Sequence, residues 1–170
     1  VGDGNIISGI HKGFKDLAAL GWLEQMPRLF GVQAEGSAAI ANAFHQDTED
    51  IIPVSADTIA DSISVDLPRD GIRAVRAAKQ TGGTYQVVTD AAILEAIATL
   101  GKAGIFAEPA GAAAYAGLLN AIQAGEITAN DPVVVINTGS GLKDIRAATN
   151  AVQPAVIIEP TLTALKELLI

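Results

Sequence analysis

Apolar residues recur at spacings of three and four through Ile6, Ile7, Ile10, Phe14, Leu17, Ala18 and Leu20. That rhythm predicts an amphipathic helix over 6–20. Gly21 stands where a left-handed cap ends such a helix, and Trp22, Leu23 and Met26 are expected to cover its end before Pro27. The pattern then shortens. Residues 28–34 read as a buried strand, followed by a turn at Glu35-Gly36-Ser37 and a small-residue helix over 38–44. Residues 45–53 are polar and irregular. Asp70 is a candidate N-cap for a helix over 71–80 that stops at Thr81-Gly82-Gly83. Residues 84–88 form a second strand, and Thr89 caps a helix over 90–100. Pro109 suits the first turn of a long helix running to Ala124. Val133-Val134-Val135-Ile136-Asn137 reads as a fully buried parallel strand from its β-branched run. Residues 149–170 are expected to be a linker and a terminal helix over 160–170.

Helices alternating with short apolar strands predict an α/β fold: three αβα layers around a mostly parallel sheet. In such folds ligand loops gather at the C-terminal edge of the strands. Three stretches of this chain have that character. The first is Gly2-Asp3-Gly4-Asn5, ahead of Ile6. Glycine lets backbone approach a ligand closely, and a helix start directs several free N–H groups one way. Together they make a seat for a phosphate or another small anion. The second is Glu108-Pro109-Ala110-Gly111, where a helix-start acid is favoured by the dipole alone. The third is Thr138-Gly139-Ser140-Gly141-Leu142-Lys143-Asp144, directly after the expected last strand. His11 and Lys12 are read as surface positions without a catalytic role.

Composition narrows the function. With 49% hydrophobic and 18% charged residues, the 170-residue chain has the content of a folded domain with a real core. A net charge of −8 removes the electrostatic footprint needed for nucleic acid or an anionic membrane. There is no cysteine, hence no disulfide and no thiolate metal site. No apolar run approaches the length of a membrane span, and a cytoplasmic location is the default. The chain opens on Val1, directly at the first ligand loop, which is expected of a piece of a longer protein.

The three loops, in this order and at these separations, resemble the C-terminal half of the threonine synthase family, pyridoxal-phosphate enzymes of the tryptophan-synthase-β-like fold. Gly31-Val32-Gln33-Ala34 and Gly82-Gly83 fit as well. The resemblance runs from Val1 to about Asp144. It implies that residues 1–148 are part of a fold-type-II large domain that binds pyridoxal 5'-phosphate. Gly2, Asp3, Gly4, Asn5 and Ile6 would hold the cofactor phosphate. Ala34 would lie against a face of the ring, Thr138 at the pyridine nitrogen, and Glu108 near the ring. The family's cofactor-bearing lysine lies in its N-terminal half, and none of Lys12, Lys15, Lys79, Lys102, Lys143 and Lys166 matches it. No catalytic residue is therefore assigned in this chain, and Lys143 is read as structural. The implied partners are a small amino-acid substrate, the missing half of the same enzyme, and a second copy in a dimer. The implied activity is a lyase reaction of threonine biosynthesis, from O-phospho-L-homoserine and water to L-threonine and phosphate. Alternatives are a serine/threonine dehydratase, a diaminopropionate ammonia-lyase, a cysteate synthase, or a lysine-free module for binding or assembly.

Overall fold

The computed structural model describes residues 1–152 and 154–169. Its centre is a pair of short parallel strands, β1 (Gly31–Ala34) and β2 (Tyr85–Val88), in register so that Val32 lies beside Gln86 and Ala34 beside Val88. Alternation along a strand sends successive side chains to opposite faces. Here it separates two cores. Val32, Ala34 and Val88 pack on α4 (Asp90–Lys102) and α5 (Pro109–Gln123), through Ile93, Ala96 and Ile97 of α4 and Ala112, Ala113 and Ala116 of α5. Tyr85 and Val87 face α1 (Asn5–Ala19), α2 (Ala39–His45) and α3 (Gly71–Thr81), meeting Ile7, Ile40, Ala41, Ala74 and Val75. Helices on both faces of a parallel sheet make the three αβα layers that the alternation of elements predicts. The chain closes with α6 (Ile145–Asn150) and α7 (Leu162–Leu168). The expected linker and terminal helix over 149–170 include residues 153 and 170, which lie outside the described residues.

Small side chains set the layer spacing. A Cβ on Gly117 of α5 would come within 2.3 Å of the Val32 side chain, so helix and strand meet at the distance of bare backbone. Gln33 is the one strand position on the second face that carries a buried amide, and both ends are used. Its Nε2 donates to the Val1 carbonyl at 3.0 Å and its Oε1 accepts from the Ala41 N–H at 2.8 Å. Helix ends follow their local chemistry. Thr89 Oγ1 accepts from the Ala92 N–H at 3.1 Å, and the Gly21 and Trp22 amides close the end of α1 onto the carbonyls of Ala18 and Leu17.

Four expectations are corrected. Residues 133–137 form no strand and pair with none among the described residues, and Val134 is 89% exposed. A β-branched run has intrinsic strand character, yet full burial in a sheet requires a paired neighbouring strand, and among the described residues only β1 and β2 pair as strands. His11 is buried, because it shares the inward face of α1 with Ile7 and Ser8, one turn away. Trp22 is 76% exposed and covers nothing. Asp70 precedes α3 without capping it; its carboxylate accepts instead from Arg73 Nε.

Candidate functional site

Gly4 is the hinge between the first ligand loop and α1. Its φ of +91° belongs to the left-handed region, and a Cβ there would lie 2.8 Å from both the Ala74 Cβ and the Asp70 carbonyl oxygen. Glycine is thus required on two counts. It also leaves α1 without a side-chain cap. The first intrahelical bond of the turn runs from the Ser8 N–H to the Gly4 carbonyl at 3.1 Å. The N–H groups before it, from Asn5 to Ile7, point out of the helix start with the positive end of its dipole. A Cβ on Gly2 would press within 3.1 Å of the Ile63 Cα, so the connecting segment around Ser62, Ile63 and Val65 forms the back of the loop.

The other two loops are joined to each other. Ala107 and Ser140 form an isolated antiparallel bridge. The Glu108 N–H donates to the Gly139 carbonyl at 3.0 Å, and the Gly141 N–H donates to the Phe106 carbonyl at 2.9 Å. Glu108 is buried, and its carboxylate leaves the start of α5 uncapped to take a 3.0 Å hydrogen bond from Lys143 Nζ. Room for this exists only because residue 139 is glycine; a Cβ would fall 1.7 Å from Glu108 Oε1.

One cavity of about 1030 Å³ brings the loops together. Gly2, Asp3, Gly4, Asn5 and Ile6 line it, and so do Glu108, Thr138 and Lys143. Of the expected site residues, Ala34 alone does not line it; it is fully buried at the end of β1 against the α4–α5 core. The Asp3 carboxylate turns toward the backbone, where Oδ1 accepts from the Arg69 N–H at 3.1 Å. Ser62, Ile63 and Val65 also line the cavity and were not singled out in sequence. The segment is fixed by long-range bonds to Ser37, whose hydroxyl accepts from the Val65 N–H and has its single hydrogen within reach of the carbonyls of both Ile63 and Val65; no local motif announces them. The cavity continues past the loops along Ile10, Phe14, Met26, Phe30 and Val133–Ile136, which gives it an apolar end.

These features fit an aromatic phosphate ester. An uncapped helix start behind a glycine that tolerates no side chain offers backbone donors to a dianion. Thr138 is exposed and lines the shared cavity, and its hydroxyl can donate to an unprotonated ring nitrogen or accept from a protonated one. Within the described residues no cluster of His, Asp or Glu is arranged to hold a metal ion, and no helix is long and apolar enough to cross a membrane.

The family model described as "Pyridoxal-phosphate dependent enzyme" matches residues 1–139. The threonine synthase of Methanocaldococcus jannaschii is 39% identical over 171 residues, covering 99% of this chain and 42% of that protein. The threonine synthase of Halalkalibacterium halodurans is 39% identical over 160 residues, covering 92% of this chain and 43% of that protein. The chain therefore spans about two-fifths of the length of these curated relatives. Among solved structures, the processed form of threonine deaminase isoform 2 from Solanum lycopersicum shares the fold, with a TM-score of 0.65 at 22% identity over 89% of this chain and 40% of that one.

Proposed function

Since the chain belongs to the pyridoxal-phosphate-dependent enzymes, we propose that it is the cofactor-holding part of a threonine synthase, a lyase that in its whole form converts O-phospho-L-homoserine and water to L-threonine and phosphate. The observation that carries this reading is the meeting of the Gly2–Ile6 loop, Glu108 and Thr138 on one cavity. Identities of 34–39% to threonine synthases support the choice of substrate. In this reading residues 1–148 are part of the cofactor domain and 149–170 a linker and terminal helix. The enzyme works in the cytoplasm as a homodimer.

Pyridoxal phosphate, when bound, supplies an electron sink for charge developing on the amino-acid carbons. The chain's own residues hold and orient. The N–H groups of Gly4, Asn5 and Ile6 would hold the phosphate, where the helix dipole favours a dianion. Thr138 would offer its hydroxyl to the ring nitrogen, and a neutral partner there would add no proton to that nitrogen. Lys143, paired with Glu108 at 3.0 Å, holds the Thr138 loop rather than carrying the cofactor. The lysine that carries it and the domain that closes over substrate come from the remainder of the enzyme.

Full-length protein incubated with O-phospho-L-homoserine should release phosphate and form threonine, and should release no ammonia from serine or threonine. Ammonia from either, without phosphate release from phosphohomoserine, would replace the synthase reading with a dehydratase. Thr138→Val should lower turnover by about tenfold, the worth of one lost hydrogen bond at a polar atom.

A further inference from the structure

An acid inside an anion seat is a contradiction that the fold has to resolve. Asp3 lies between the two glycines of the loop and lines the same cavity as the free N–H groups of α1. A free carboxylate there would stand against a doubly charged phosphate. The structure shows where its capacity goes. Asp3 Oδ1 accepts from the Arg69 N–H at 3.1 Å, and the Asp3 carbonyl accepts from the next amide, Asp70 N–H, at 2.9 Å. Those two amides stand directly ahead of α3, where Asp70 itself caps nothing with its side chain. The adjoining glycine leans on the same place, since Gly4 fits against Asp70 and Ala74 with no room for a Cβ.

We propose that Asp3 is a positioning residue: it straps the phosphate loop to the start of α3 and so holds the Gly4–Ile6 amides in the geometry that receives the anion. This rests on the cofactor reading given above. Three physical points support it. The carboxylate's partner is a backbone N–H, to which a neutral amide oxygen can also serve as acceptor. The strap joins residues 66 positions apart, so it fixes a loop that sequence neighbours alone leave free. Its charge, by contrast, works against binding. The strap and the charge can therefore be separated by substitution.

The test uses the full-length enzyme that contains these 170 residues, selectively labelled, titrated separately with inorganic phosphate and with pyridoxal phosphate and followed by the backbone amide resonances of residues 4–6. Asp3→Ala should weaken both ligands by about tenfold, as loss of a charge-assisted hydrogen bond predicts. Asp3→Asn should bind both at least as tightly as the native chain, because the acceptor stays and the like charge goes. Amide hydrogen exchange supplies a readout free of ligand. The Arg69 amide should lose protection in Asp3→Ala and keep it in Asp3→Asn, while the Asp70 amide, bonded to a main-chain oxygen, stays protected in both. Weakening in Asp3→Asn equal to that in Asp3→Ala would overturn the strap and make the charge itself the active feature. Unchanged affinity in Asp3→Ala would overturn it as well. A native chain whose residues 4–6 respond to neither ligand would defeat the cofactor reading, and the strap with it. If Asp3→Ala does not fold, Asp3→Asn decides: retained binding supports the strap and a loss overturns it.

Discussion

Gly4 combines a left-handed backbone with contact on two sides, so replacing it tests conformation and packing together. Gly4→Ala should cost about 2–4 kcal/mol in urea unfolding, from the left-handed penalty and the overlap with Ala74. Gly9, in the body of the same helix, has open space where a Cβ would stand; there alanine should gain up to about 1 kcal/mol by helix propensity. The first glycine's importance is legible in sequence because it falls between a loop and an apolar helix. The role of its neighbour Asp3 is not, since its partner Arg69 is remote in the chain. His11 makes the same point. Its place on the inward face follows once the register of α1 is known, but sequence leaves it at the border of that face. Burial, with the Lys15 charge as a lesser cause, holds its imidazole below the ordinary histidine range. The folded state then prefers neutral His11. Stability is complete above about pH 6.5 and declines below it, as the unfolded chain takes up a proton that the folded chain resists. Urea midpoints at about pH 7.5 and about pH 5.5 should differ, and His11→Gln should shrink the difference.

The elements most readable in sequence are those with a local signature. α1, α3 and α4 have amphipathic spacing and end signals at Gly21, Gly82 and Thr89, and α5 has proline in its first turn. β1 and β2 fall within the expected strands because each is short, apolar and bounded by glycine or a turn. What lies between elements is less readable. The contact of Gly117 with Val32 joins α5 to β1 across 85 positions, with nothing in either neighbourhood to mark it. Gly117→Ala should destabilise by about 1–3 kcal/mol despite alanine's better helix propensity, since the methyl group would meet Val32 at 2.3 Å. Val32→Ala alone should cost about 1–3 kcal/mol for the lost methyl groups. The double variant should be more stable than the sum of the two predicts, and that coupling in a double-mutant cycle is the sign of direct contact.

Across the whole molecule, the fold class and the clustering of the three loops were readable because α/β alternation carries both. The state of residues 133–137 was not. Their composition predicts burial, whereas their exposure depends on which strands stand alongside, and that information is absent from the run itself. In this 170-residue chain by itself, Val134→Ser should therefore change stability by less than about 0.5 kcal/mol, where a central strand position would lose several times more. Among the described residues, none exchanges a hydrogen bond with the backbone of residues 132–138, while the next few are held by Gly139, Gly141 and the Lys143–Glu108 pair. A protease that prefers aliphatic side chains should make its earliest cut in this unsupported stretch. The two pieces should then stay together, the shorter one clasped to Phe106 and Glu108 as a bracelet stays closed by its catch.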